Sequence, residues 1–152
     1  MKITLLCVGK LRGEAVRALC ADYAARLKRY GTFEIEEVKA SSAKEPARAV
    51  AEECARLLEA IAPGDRVLVL DERGKFCSSV QLSRRLSELE TRSTKRLIVL
   101  LGGAYGLNDE VRKRGELLAL SPMTFNHELC RALILEQLYR ARTIQRGEPY
   151  HH

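Results

Sequence analysis

The chain has 152 residues, of which 46% are hydrophobic and 30% are charged, and its formal net charge is +6. This composition is typical of one globular domain, spanning residues 1–152, that is large enough to bury a core. It excludes a membrane span, because no segment has the roughly 18–20 continuous apolar residues that one requires. The positive charge favours a polyanionic partner such as RNA, although many basic proteins bind no nucleic acid.

The first half of the chain alternates between predicted strands and helices. Residues 2–8 form an apolar run that predicts a buried first strand rather than a signal peptide. Apolar residues at helical spacing predict a helix over 14–30, and the alternating segment 33–38 predicts a half-exposed strand. A second helix is predicted over 47–61. Val67–Leu70 is continuously apolar, as expected for a strand that is covered on both faces.

The second half continues the same alternation. Its predicted elements are a polar loop at 71–75, a helix at 79–90, a buried strand at 97–101, a short helix near 108–114, a strand at 116–120 and a last helix at 127–144 with Asn126 as its N-cap. Strands that alternate with helices throughout predict an α/β fold, in which a mostly parallel sheet is flanked by helices.

The five cysteines show no metal-binding or disulfide pattern. They contain no C-x-x-C pair, and no histidine cluster lies near them. We therefore expect no metal and a reducing, cytoplasmic environment, with the cysteines acting as small buried apolar residues.

A glycine-rich turn, Gly102–Gly106, directly follows the strand predicted at 97–101. Its spacing does not match G-x-G-x-x-G, and it lacks the Lys-Ser/Thr of a P-loop. On pattern alone, a tight turn is the plainer interpretation. The position still favours a ligand, because ligands of open α/β sheets bind at the carboxyl ends of strands; Leu70-Asp71 marks a second such end.

The segment Ser121–His127 contains two large apolar residues, Met123 and Phe125, among polar ones. These side chains either fill the core or line a pocket. His127 begins the last helix, where a structural role is the more common one. No Ser-His-Asp or Cys-His arrangement can be argued from the spacing.

The last helix is apolar on more than one face, which predicts a subunit interface. Glu136 and Arg140 lie four residues apart and are expected to pair on the helix surface. Arg131, Arg142 and Arg146 are expected to be solvated charges.

Taken together, five motifs in order resemble one known family. They are Leu70-Asp71 followed by Gly74-Lys75, the turn Gly102-Gly103-x-x-Gly106, the segment 121–127, the hexad Glu136–Ala141 and the ending Pro149-Tyr150-His151. Over its whole length the chain resembles the bacterial 23S rRNA pseudouridine N3-methyltransferases, which belong to the SPOUT class. Ala104-Tyr105 stands where other members often carry Pro-Glu, so no role transfers to those two side chains.

The resemblance implies a SPOUT α/β-knot fold with a C-terminal trefoil knot, a homodimer, and S-adenosyl-L-methionine as methyl donor. The family's cofactor-binding positions fall here on Leu70, Gly103, Ser121, Pro122, Met123, Thr124, Phe125 and Asn126. At Gly103 we expect the donor to approach the main chain so closely that only glycine fits. A valine at this position should then block the donor and leave the fold largely intact.

The proton acceptor for methylation of N3 is not identified by the sequence. Candidates for organising the substrate nucleotide or supplying charge are His127, Arg140, Arg142, Tyr150 and His151. Tyr150 and His151 lie beyond the last helix, so we expect them to contribute little to the core and to contact an exposed base. Two alternatives remain open: a non-catalytic RNA- or ribosome-binding module of the same fold, and a SPOUT methyltransferase that acts on another RNA position.

Overall fold

The structure, a computed structural model, describes all residues 1–152 and contains a five-stranded sheet flanked by helices. The strands are β1 (Lys2–Val8), β2 (Phe33–Val38), β3 (Arg66–Phe76), β4 (Arg96–Leu101) and β5 (Glu116–Ala119). The helices are α1 (Glu14–Leu27), α2 (Pro46–Glu59), α3 (Ser79–Thr91), α4 (Asp109–Arg112) and α5 (His127–Arg146), with a short 3-10 turn at Lys28–Tyr30 after α1. None of the helices is both long enough and apolar enough to cross a membrane.

The sheet has the strand order β2-β1-β4-β3-β5, and every neighbouring pair is parallel. This confirms the α/β fold predicted from the alternation of strands and helices. Because all strands run the same way, their carboxyl ends lie along one edge of the sheet and their amino ends along the other. The trefoil knot stays a prediction.

Helices cover both faces of the sheet and enclose two apolar cores. One core lies under α1, α3 and α5 and includes Cys20, Leu86 and Leu135. The other lies under α2 and α4 and includes Leu57 and Val111. Helix α5 packs against both α1 and α3, and this position accounts for its broad apolar surface within a single chain.

The predicted polar loop at 71–75 is part of β3 instead. The strand continues to Phe76, and its pairing with β5 shifts register between Leu70 and Lys75, so that residues 71–74 bulge out of the ladder. Gly74 passes so close to β5 that a Cβ atom there would collide with the main chain of Leu118. Residues 71–75 contain no apolar residue except glycine, so the alternation of apolar and polar residues that indicates a strand is absent here.

The cysteines are not uniformly buried, so that expectation was wrong for two of the five. Cys7, Cys20 and Cys54 lie in the cores, and burial raises the pKa of the Cys7 thiol to about 12. Cys77 is exposed after β3, and Cys130 is half-buried on α5.

Candidate cofactor and substrate site

A cavity of about 500 Å³ opens at the edge of the sheet where β4, β3 and β5 end. Three pieces of chain form its walls: Leu70 and Asp71, where β3 leaves the ladder that it forms with β4, the turn 102–106 after β4, and the segment 118–127 that leads from β5 into α5. These pieces meet because adjacent parallel strands deliver their following loops to the same edge.

The cavity brings together most of the positions that the family resemblance implies for a cofactor. Seven of the eight line it: Leu70, Gly103, Ser121, Pro122, Met123, Thr124 and Phe125. The eighth, Asn126, is the N-cap of α5, and its Oδ1 accepts a hydrogen bond from the Glu128 N–H at 2.8 Å. Whether these residues contact a methyl donor stays a prediction.

The segment 121–126 forms a wall of the cavity without regular secondary structure. The Ser121 Oγ accepts a hydrogen bond from the Met123 N–H at 3.0 Å and so closes a local turn. The Met123 side chain is 73% exposed, so the interpretation that it fills the core was wrong. Pro122 has no N–H, and the N–H groups of Thr124 and Phe125 donate no hydrogen bond within the chain.

Two glycines of the turn after β4, Gly102 and Gly103, lie very close to side chains of the same chain. A Cβ atom on Gly103 would collide with the carboxylate Oε2 of Glu53 on α2 and would make an ordinary van der Waals contact with Val8. A Cβ atom on Gly102 would meet the Leu107 side chain. The neighbour nearest to a side chain at 103 is therefore the end of the Glu53 side chain, which would have to move aside for a valine. The expectation that such a valine leaves the fold largely intact stays a prediction.

Glu53 is itself unusual, because it is a carboxylate that is only 7% exposed and forms no ion pair. Its Oε1 accepts a hydrogen bond from the Ser41 N–H at 3.0 Å, and its Oε2 has no partner. Burying a polar atom without a partner is costly. The Glu53 carboxylate lies against Gly103, and Gly103 alone separates it from the cavity.

An ion pair that the sequence did not reveal stands in the cavity wall. Arg112 on α4 donates from Nε to Asp71 Oδ2 at 2.7 Å, and both side chains are largely buried. Burial acts against the charge of Arg112, but hydrogen bonds to Asp71 and Asp109 outweigh it and raise the pKa of the guanidinium. The pair neutralises Asp71 and fixes α4 against the bulged part of β3. No local spacing signals it, since its partners lie 41 residues apart.

His127, the first residue of α5, lines the cavity. The start of α5 is held in place by two nearby residues, Glu128 and Arg131. The Glu128 carboxylate accepts hydrogen bonds from the N–H groups of Arg12 and Gly13, at 2.9 and 3.3 Å, and these bonds lower the pKa of Glu128. Helix α5 is thereby joined to the loop that follows β1.

Arg131 strengthens that joint from inside the protein. Its side chain is 2% exposed, so the expectation of a solvated charge was wrong. The guanidinium donates to Glu37 Oε1 at 2.6 Å and to the carbonyl oxygens of Val8 and Gly9 at 3.0 and 2.9 Å. Arg131 thus ties α5 to the carboxyl ends of β1 and β2, beside the cavity-forming edge.

The C-terminal tail packs against the protein through what we call the tyrosine cluster, which consists of Tyr23, Tyr30, Tyr139 and Tyr150. The Tyr150 ring lies 4.7 Å from that of Tyr139, and its hydroxyl donates to Glu136 at 3.1 Å. Burial, with hydrogen bonding to Tyr23 and Glu136, raises the pKa of Tyr150. Tyr150 is part of neither apolar core, but its ring and hydroxyl anchor the tail to the protein.

The remaining candidates lie away from the cavity. Arg140 stacks over the Tyr150 ring at 4.6 Å and forms the expected pair with Glu136 at 2.6 Å. Arg142 is buried and pairs with Glu90 at 2.7 Å, so it is neither a solvated charge nor a cavity residue. His151 is exposed. Within one chain, His127 is the only one of the five candidates that lines the cavity.

Curated relatives match the chain from end to end. It is 46% identical to the ribosomal RNA large subunit methyltransferase H of Pelobacter propionicus, with 100% of both chains covered. It is 47% identical to the protein of the same name from Syntrophotalea carbinolica, with 99% of both covered.

Solved structures share the fold at low sequence identity. A probable methyltransferase from Bordetella pertussis has a TM-score of 0.58 and 17% identity, with 92% of this chain and 95% of that one covered. A probable methylase family protein from Haemophilus influenzae has a TM-score of 0.56 and 12% identity, with 99% and 70% covered. Residues 1–151 match the family described as "predicted SPOUT methyltransferase". The chain belongs to the SPOUT methyltransferase family.

Proposed function

We propose that this protein transfers a methyl group from S-adenosyl-L-methionine to N3 of a pseudouridine in 23S ribosomal RNA, and that it works in the cytoplasm as a homodimer. The observation that carries the proposal is the cavity at the ends of β3, β4 and β5, which unites seven of the eight predicted donor positions. The full-length relatives named as large subunit rRNA methyltransferases support the substrate. The net charge of +6 suits an RNA partner.

The cavity residues fit the methyl donor. Its apolar wall, which includes Leu70, Leu101 and Leu118, suits an adenine ring. The free N–H groups of Thr124 and Phe125 offer hydrogen bonds to the polar edge of such a ring. S-adenosyl-L-methionine supplies a methyl group that is already activated by its sulfonium.

Because the methyl group is activated, the main task of the chain is to hold the acceptor nitrogen in line with it. Positioning of this kind contributes about 7–11 kcal/mol in favourable cases. The N3–H proton must also leave, either to a basic side chain or to water. We assign His127 to this step or to holding the nucleotide, because it is the imidazole in the cavity wall. Arg73, which also lines the cavity and forms an exposed pair with Asp109 at 3.5 Å, is the candidate for supplying positive charge to a developing imide anion.

The other candidates take different roles. Arg142 is withdrawn, because Glu90 and burial use its charge inside the protein. Arg140, Tyr150 and His151 stay candidates for contacts with RNA outside the cavity of their own chain.

The proposed homodimer is supported by apolar residues that the single chain leaves uncovered. Leu19 on α1 is 45% exposed and Leu129 on α5 is 40% exposed. Light scattering at micromolar concentration should show a dimer, and Leu19→Glu with Leu129→Glu should shift it towards monomer. A stable monomer of the unaltered protein would refute this part of the proposal.

The function is tested by adding the purified protein and S-adenosyl-L-methionine to ribosomes from a strain that lacks the corresponding gene. Nuclease digestion and mass mapping of the 23S rRNA should find one pseudouridine that has gained one methyl group. A methyl group on another nucleotide would favour a different RNA position. Absence of donor binding in calorimetry would favour the non-catalytic module.

A further inference from the structure

A second groove, of about 430 Å³, lies at the opposite edge of the sheet, where β3, β4 and β5 begin. Arg66 at the start of β3, Leu97 in β4 and Glu116 at the start of β5 contribute to its walls. The methyl-transfer cavity is at the other end of the same strands. A six-residue strand such as β4 separates the two by roughly 20 Å.

The groove is strongly cationic. Its lining contains five basic residues, Arg66, Arg85, Arg92, Lys113 and Arg114, and two acidic ones, Asp65 and Glu116. Both carboxylates are already paired: Glu116 with Arg85, and Asp65 with Arg96, which approaches from outside the groove. Four cationic side chains therefore remain without an acidic partner.

These four cations come from three separate parts of the fold. Arg66 opens β3, Arg92 is the C-cap of α3, and Lys113 and Arg114 form the turn between α4 and β5. All four are exposed, yet they converge on one concave surface. Bringing like charges together in a groove raises their mutual repulsion, which a bound polyanion would relieve. The planar fork of arginine suits phosphate oxygens in particular.

We propose that this groove binds the phosphate backbone of the substrate RNA, away from the nucleotide that is methylated. The inference rests on the proposed rRNA substrate. Contacts to phosphate fix the position of an RNA without reading its sequence, which is the task that remains once the cavity selects the target base. An RNA that occupies both sites would follow the surface of the protein from one edge of the sheet to the other, over at least about 20 Å.

The test uses the double variant Arg66→Gln with Arg114→Gln, whose altered side chains form no ion pair in the unaltered protein. Binding to protein-free 23S rRNA is measured between about 50 and 200 mM salt. Each phosphate contact contributes about 0.7–0.9 to the slope of log affinity against log salt, so the variant's slope should be smaller in magnitude by about 1.4–1.8. Thermal stability and affinity for S-adenosyl-L-methionine should stay unchanged.

A matched control removes two charges elsewhere on the same edge. Lys28→Gln with Arg29→Gln alters exposed residues before β2, at the far side of the sheet from the groove. The control should keep the slope of the unaltered protein. An equal loss in both variants would overturn the assignment, because it would reflect net charge alone. An unchanged slope in the groove variant would overturn it as well. If the groove variant bound ribosomes more weakly but bound protein-free 23S rRNA normally, the occupant would be an acidic protein, and the assignment to RNA would also be overturned.

The salt dependence of rRNA binding is measured independently of the methylation assay. If the unaltered protein binds rRNA through the groove but leaves every nucleotide unmethylated, the proposed function fails and the groove assignment stands. If methylation occurs and the slope does not change, the groove assignment fails alone.

Discussion

The cavity and the tyrosine cluster are built in opposite ways. The cavity is enclosed by the ends of three parallel strands and the loops that follow them, and several of its side chains, such as Met123 and Tyr105, are exposed. The tyrosine cluster is held by contacts between side chains, such as that between Tyr139 and Tyr150. A site built from strand ends leaves main-chain groups free for a ligand, whereas the cluster uses its polar groups to hold the tail on the protein.

Arg131 links the cavity-forming edge to α5, and its loss should have the largest effect. Arg131→Met would leave Glu37 and the carbonyl oxygens of Val8 and Gly9 without their donor. We expect the free energy of unfolding to fall by about 1–3 kcal/mol for each carbonyl oxygen that loses its donor, whereas water can reach the one-third-exposed Glu37 carboxylate. Denaturant unfolding measures this, with Arg146→Met as the exposed control. Equal losses in the two variants would show that the buried contacts contribute little.

His127 tests the chemical role of the cavity. His127→Gln removes the imidazole from the wall and should lower kcat by about 100-fold. Donor affinity should change little, because the free N–H groups of the segment 121–126 stay in place. Single-turnover methylation and calorimetric titration measure the two quantities, with His152→Gln as the control. A variant that keeps full kcat would remove His127 from the mechanism.

Gly103 tests whether packing inside the protein explains the glycine turn. Gly103→Ala should cost about 1–3 kcal/mol, as overpacking does, because the new Cβ meets Glu53. In a Glu53→Ala background the same change should cost much less, and a double-mutant cycle measures this coupling. Additive costs would show that the conflict with Glu53 is not the cause. Loss of donor affinity without loss of stability would restore the original idea of close ligand approach.

The tyrosine cluster should give the smallest effect, seen at alkaline pH. Burial is the largest cause that raises the pKa of Tyr30 and of Tyr150. Hydrogen bonding to Glu148 comes next for Tyr30, and hydrogen bonding to Tyr23 and then to Glu136 comes next for Tyr150. Groups whose folded pKa is raised stabilise the protein fully below their unfolded pKa, about 10, and lose that contribution as pH rises towards the folded value. Stability should therefore fall from about pH 10 upwards. In Tyr30→Phe with Tyr150→Phe, this fall should be weaker, and the cost at pH 7 should be about 0.5–1 kcal/mol per hydroxyl. An identical alkaline fall would contradict the assignment.

Much of the fold could be predicted because it follows from local patterns, in which apolar runs mark the strands. The rule that parallel strands place their loops at one edge also indicates that Leu70 and Gly103 lie close together. Phe125 and the rest of the segment 121–126 are expected at the same site because of the family resemblance, not because of a local pattern. The positions of Arg131 and Tyr150 could not be predicted in this way. Arg131 reaches Glu37 across 94 residues and Tyr150 reaches Tyr23 across 127, and no local spacing signals either contact.

The same limit explains the misread segment at 71–75. Its charged residues suggest a loop. In the structure, Asp71 and Glu72 lie in a bulge that does not pair with β5, and the strand continues beyond the bulge. Asp71 accepts a hydrogen bond from Arg112, which lies on α4, far from Asp71 in the sequence.

The central claim is that the methyl donor binds at the ends of β3, β4 and β5, and amide chemical-shift mapping with S-adenosyl-L-methionine tests it most directly. Shifts should concentrate at residues 70–73, 102–107 and 120–127, and the tyrosine cluster and the groove at the opposite edge should stay unperturbed. Shifts that centre on Tyr139 and Tyr150 or on Arg66 and Arg114, with the cavity unchanged, would contradict the claim.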